Sequence, residues 1–193
     1  MQGLGAIVAD FADVAAVMCG LAAPRSWRFV LPHAPRLPVT INAGMVMPAW
    51  YDILQLDHPR AVDWGTVAES AAAVEALLAE EPAERVVLAG FSQGAAMALH
   101  LGLRHQDKAS GVLMMSGYLL ESDDHPCPAQ CHDLPIALFH GTDDPMVPFL
   151  AAEQSLSSLR NAGYAPTLTP YEGLEHGVNE AELSDVFEWL CKR

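Results

Sequence analysis

Apolar and polar positions along the 193-residue chain change period several times, and each change marks an element. Phe11, Val14, Ala15, Val17 and Met18 recur at three- and four-residue spacing, which predicts a helix over residues 10–20. Residues 27–31 are a short, mostly apolar run stopped by Pro32 and are predicted as a strand. Residues 32–48 are punctuated by Pro32, Pro35, Pro38, Asn42, Gly44 and Pro48 and read as a long loop leading into Ala49, Trp50, Tyr51 and Asp52. A loop of that length inside a compact domain usually carries function. Helical period returns over residues 64–81, with Val67, Ala71, Val74, Leu77 and Leu78 on the apolar side and Pro82 as terminator. A β-branched run at residues 85–89 then predicts a buried strand, and residues 95–101 read as a helix.

The second half repeats the alternation. Residues 111–116 and 135–139 are apolar strands separated by a polar, loop-like stretch at 118–134. Residues 149–161 are helical and closed by Gly163, and residues 165–171 alternate with period two. Residues 179–191 form an amphipathic last helix, with Asn179 as N-cap and Glu182 at the third helical position. Short apolar strands separated by helices predict an α/β fold, a mainly parallel sheet with helices on both faces, in one domain over residues 1–193. Ligands of such sheets bind beyond the carboxyl ends of the strands. The connections after each strand are therefore where chemistry is expected.

Composition narrows the classes. Hydrophobic residues make up 51% and charged residues 18%, as in a globular protein. The net charge of −14 and a pI near 4.7 argue against nucleic acid or an anionic membrane surface as partner, because both require basic patches. Residues 86–103 carry no Asp, Glu, Lys or Arg, but glycines, Ser92, Gln93 and His100 interrupt them, so strand plus helix is expected rather than a transmembrane span. Cys19, Cys127, Cys131 and Cys191 are few and scattered, as in a reducing compartment, and no signal-peptide pattern opens the chain. A cytoplasmic location is the expectation.

The connection after the 85–89 strand reads Gly90-Phe91-Ser92-Gln93-Gly94. G-x-S-x-G between a strand and a helix is the pattern of the α/β-hydrolase nucleophile elbow, a strained turn that lifts the serine hydroxyl above the sheet edge. The bland reading of the same residues is a helix start capped by serine. A serine nucleophile needs a base and a carboxylate that orients it. Elbow proteins supply them in the chain order serine, acid, histidine. Asp143 and Asp144 follow the strand that runs into His140, and His176 lies in Gly173-Leu174-Glu175-His176-Gly177. Of eight histidines, His33 and His58 precede the serine, His100 and His105 sit on or beyond the elbow helix, His125 and His132 belong to the polar stretch, and His140 ends a strand. Pro145 directly after Asp144 favours it over Asp143 without excluding either. His125, Cys127, Cys131 and His132 have the chemistry of zinc ligands. Their spacing is irregular and two prolines stiffen it, so a surface loop is the default.

Together these residues resemble the bacterial carboxylesterase and acyl-protein thioesterase family, also called the phospholipase/carboxylesterase family. The resemblance runs nearly the whole length. It rests on Gly3-Leu4-Gly5-Ala6, Leu31-Pro32-His33-Ala34-Pro35, Pro38-Val39-Thr40-Ile41-Asn42, residues 45–52, the elbow, residues 140–148 and Glu175-His176-Gly177. It implies a cofactor-free serine esterase for short to medium acyl esters or thioesters, with Ser92 as nucleophile, His176 as general base and Asp144 as its orienter. It also implies an oxyanion hole from the N–H groups of Leu4 and Gln93, and an acyl pocket lined by Met45, Met47, Trp50 and Leu54. Core packing is the competing reading of that pocket, because Met and Trp also fill gaps. One departure stands out. The family places an apolar strand and a histidine before Gly-Leu-Gly, whereas here Gln2 holds the histidine position directly after Met1. The expectation is a sheet lacking its N-terminal strand, through a downstream start or a shortened, weakly active chain. Lysophospholipase activity and a non-catalytic binding role are the alternatives, the substrate being a small ester or an acylated molecule. Apolar residues near 45–50 also offer a surface on which two copies would pair.

Overall fold

The computed structural model describes residues 1–6, 27–56, 60–81 and 86–192. Two antiparallel strands come first, β1 (Arg36–Val39) and β2 (Met45–Pro48), with Arg36 opposite Pro48 and Val39 opposite Met45. A 3-10 turn at Thr40–Asn42 closes this hairpin, and Ala43 and Gly44 follow with positive φ of 55° and 74°. Then come α1 (Trp64–Ala79), β3 (Val86–Phe91), α2 (Gln93–Arg104), β4 (Ala109–Met115), β5 (Ile136–Gly141), α3 (Phe149–Asn161), β6 (Thr167–Tyr171) and α4 (Glu180–Cys191). Strands β3, β4, β5 and β6 lie side by side in chain order as a parallel sheet.

The pleat of β4 shows that both faces are covered. Val112 and Met114 point into a large apolar cluster with Leu99, Leu101, Leu103 and Leu138, while Leu113 points into a smaller one with Phe139, Tyr171, Val186 and Leu190. Helix α2 is buried from Gln93 to Leu103. Burying a leucine such as Leu99 or Leu101 contributes about 1.5–3 kcal/mol, so this helix is an internal layer that holds the elbow in place. Helix ends follow their sequence signals: Asp63 Oδ1 accepts from Gly65 N at 2.9 Å, and Asn179 Oδ1 accepts from Glu182 N at 2.8 Å. Among the described residues no helix is long and apolar enough to cross a membrane.

Two expectations are corrected. Residues 27–31 form no strand, and Phe29 and Val30 are exposed. A short apolar run becomes a strand only where a ladder partner is free. The open side of β3 is met instead by Met1, whose amine donates to Ala89 O at 2.6 Å and whose carbonyl accepts from Phe91 N at 3.1 Å. Residues 32–48 are more ordered than a loop, because they contain the β1–β2 hairpin. Its prolines conceal it in sequence, yet Pro38 and Pro48 suit a ladder of two edge strands. The predicted helix at residues 10–20 lies outside the described residues.

Candidate active site

The elbow is built by close approach. A Cβ on Gly90 would sit 2.1 Å from Gly94 O, and one on Gly94 would sit 2.4 Å from Gln2 O, so neither position accepts a side chain. Between them Ser92 adopts φ 54° and ψ −121°, a conformation that L-residues avoid, which the packed strand and helix impose. Ser92 N donates to Met115 O at 2.9 Å, and Ser92 O accepts from Ala95 N and Ala96 N. The hydroxyl is thereby aimed past the end of β3.

The turn after β5 places Asp144. Its side chain is buried, and Oδ1 accepts from Met146 N and Val147 N, both at 2.8 Å. The other oxygen, Oδ2, faces His176 Nδ1 at 2.6 Å. Burial alone would raise the Asp144 pKa, but the His176 hydrogen bond and those from the Val147 and Met146 N–H groups outweigh it and hold the carboxyl below its usual range. An ionised carboxylate only accepts, so His176 Nδ1 carries the proton and Nε2 presents a lone pair. That lone pair meets Ser92 Oγ at 3.0 Å, so the serine hydroxyl donates to it. Phe91 packs on the His176 ring at 4.8 Å between centroids. Two backbone bonds and one to a side chain staple the two loops together: Asp143 N donates to Leu174 O, Thr142 N to Tyr171 O, and Gly173 N to Thr142 Oγ1.

The two aspartates thus separate. Asp143 is exposed and accepts from Thr142 Oγ1, while Asp144 alone reaches His176. His140 is also close to Asp144 Oδ2, at 3.5 Å, but its Nε2 donates to Val147 O at 2.7 Å, and burial lowers its pKa. It braces the acid turn as a neutral ring.

Residues 1–6 run across the elbow. A Cβ on Gly3 would lie 3.3 Å from Ser92 Cβ, and Gly5 N donates to Pro48 O at 2.9 Å. Among the described residues, neither Leu4 N–H nor Gln93 N–H meets an acceptor. The four residues named for an acyl pocket do not act alike. Met45 and Leu54 are exposed, and Met47 is half-buried against Asn42 and Gly5. Trp50 is only 1% exposed, and its indole N–H donates to Gln2 O at 2.9 Å. Its ring belongs to the large apolar cluster. The histidine–cysteine stretch is organised around other groups: His125 stacks on Trp64 at 3.9 Å, and Gln106 Oε1 accepts from Cys131 N and His132 N.

Sequence reasoning passed over the Gln93 side chain. It is buried, with Oε1 accepting from Trp50 N at 2.8 Å and Nε2 donating to Tyr51 O at 2.7 Å. The available signal was an amide side chain at the head of a helix whose first two turns are otherwise apolar. Chemically, the site offers a hydroxyl whose proton has an acceptor, an imidazole backed by a carboxylate and, among the described residues, two amide donors without an acceptor.

The sequence profile of the phospholipase/carboxylesterase family matches residues 1–193. The chain belongs to this family. It is 36% identical over 180 residues to acyl-protein thioesterase 1 of Neurospora crassa, covering 86% of this chain and 74% of that protein. It is 37% identical over 175 residues to acyl-protein thioesterase 1 of Yarrowia lipolytica, covering 84% and 76%. Arabidopsis thaliana SOBER1 superposes with a TM-score of 0.87 at 28% identity, covering 99% of this chain and 95% of that one. Zea mays acyl-protein thioesterase 2 shares the fold with a TM-score of 0.80. As a member of the phospholipase/carboxylesterase family with the α/β-hydrolase fold, the chain is a serine hydrolase.

Proposed function

We propose that this chain hydrolyses carboxylic esters and thioesters of short to medium acyl groups through an acyl-enzyme on Ser92. The observation that carries the reading is the relay from Ser92 Oγ through His176 to Asp144, at 3.0 and 2.6 Å. Relatives named acyl-protein thioesterases support thioesters within the substrate class. Ser92 Oγ attacks the acyl carbon while its proton passes to His176 Nε2, and Asp144 stabilises the imidazolium that forms. The carbonyl oxygen becomes an oxyanion, accepted by the Leu4 and Gln93 N–H groups. The carbon–oxygen or carbon–sulfur bond to the leaving group breaks, and that group takes the proton from His176. Water then attacks the acyl-enzyme with His176 as base, which releases the free acid and restores Ser92. No cofactor enters these steps.

Hydrolysis of p-nitrophenyl acetate, butyrate and octanoate by the parent and by Ser92→Ala tests this, with fluorophosphonate labelling alongside. The expected result is labelling of the parent alone and a loss of roughly 10⁶ in kcat for the variant at an unchanged melting temperature. A folded Ser92→Ala chain that still turns over would overturn the assignment.

A further inference from the structure

Gln93 gives this site two things at once. Its backbone N–H is one donor of the proposed oxyanion hole, and its side chain ties the elbow to Trp50 and Tyr51. Trp50 in turn ties its indole N–H to Gln2 O, two residues before Leu4, the other proposed donor. The path closes on itself: elbow helix, Gln93 amide, Trp50 backbone, Trp50 indole, oxyanion loop, and back to the elbow through Gly3 against Ser92. A second fastening, Gly5 N to Pro48 O, pins the far side of the loop to the same segment. We infer that Gln93 and Trp50 are positioning residues that set the spacing of the two oxyanion donors.

The donors belong to segments far apart in sequence, and an oxyanion hole works only where both lie about 2.7–3.1 Å from the developing charge. Packing the head of α2 would require no more than an apolar side chain, as at Ala95, Ala96 and Met97. Burying an amide there is costly unless both its ends are hydrogen-bonded, and here both are. The bonds reach backbone atoms of a segment that also holds the oxyanion loop. The role rests on the reading of Ser92 as nucleophile.

The test is p-nitrophenyl butyrate kinetics and thermal melting of Gln93→Met, Trp50→Phe, the double variant and Ser92→Ala. Methionine keeps the length of Gln93 without its hydrogen bonds, and phenylalanine removes only the indole donor and one ring. Each single change is expected to lower kcat by about a hundredfold, the cost of a misplaced catalytic group. KM is expected to move by less than about threefold, since a donor used only in the transition state was lost. The double variant is expected to lose little more than the worse single, because the two residues act through one path. Retained kcat in a folded single variant overturns the inference, provided Ser92→Ala is inactive. So does a loss confined to KM, or losses that multiply in the double variant. Should Gln93→Met fail to fold, Trp50→Phe decides alone. An active Ser92→Ala chain would instead remove the nucleophile reading itself, and with it the oxyanion these residues would serve.

Discussion

Asp144, in the turn after β5, and Glu182, in the first turn of α4, are both buried carboxyl groups. Asp144 is met by two backbone N–H groups and by His176, and its pKa lies below the ordinary range. Among the described residues neither oxygen of Glu182 meets a hydrogen-bond partner, and burial, followed by the charge of Asp185, pushes its pKa up to about 7. The difference shows that burial does not decide the charge of a carboxyl group; the donors aimed at it do. The turn after β5 aims its backbone N–H groups at an anion beside histidine. The first turn of α4 leaves a carboxyl that folds most readily with its proton on.

The sharpest break in this contrast is Asp144→Asn. The amide oxygen keeps the bonds from Met146 and Val147, so the turn should survive, but the amide nitrogen cannot accept from His176 Nδ1. We expect kcat on p-nitrophenyl butyrate to fall by about 10⁴ with a melting temperature close to that of the parent. A loss under tenfold would show that His176 needs no anion behind it.

Next in size is Glu182→Gln, read by chemical denaturation at pH 5 and pH 8. With the folded pKa near 7 against an ordinary value of 4.5, the folded state holds the proton more tightly than the unfolded chain. Glu182 therefore makes stability fall as pH rises between those values, by roughly 3 kcal/mol in all. The sign is opposite for Asp144, whose contribution is present above the ordinary carboxylate range and is lost as pH falls through its lowered pKa. The glutamine variant should lose the decline between pH 5 and 8, and an unchanged slope would place that decline elsewhere. The smallest effect belongs to Thr142→Val, which removes the acceptor for Gly173 N and loosens the staple between the acid and histidine loops. We expect kcat to fall a few-fold and stability by about 1 kcal/mol. Unaltered kcat would show that the remaining backbone bonds suffice.

Much of the site was legible in the chain because its chemistry is local. G-x-S-x-G announces its own turn, since only glycine allows the backbone contacts at Gly90 and Gly94. The order serine, aspartate, histidine follows from successive strand ends in a parallel sheet. The choice between Asp143 and Asp144 was not legible from residue type, because adjacent residues differ only in which way a turn points them. Acyl-pocket wall and core packing stayed open for Trp50 for a similar reason: a tryptophan after a Pro-rich stretch looks the same in sequence whether it faces solvent or Gln2 O.

By itself the sequence determined the alternation of strands and helices, the parallel sheet, the elbow and the cap of α4. These depend on periodicity and on residues within a few positions of one another. Only the tertiary structure decided that the proline-rich stretch is a hairpin and that residues 27–31 stay out of the sheet. It also brought Asp144, which the resemblance had named, within 2.6 Å of His176, and it decided that the Gln93 amide joins the elbow to Trp50. The last two are contacts between residues distant along the chain. Whether a buried polar group finds its partner depends on how those segments pack, which no local pattern encodes.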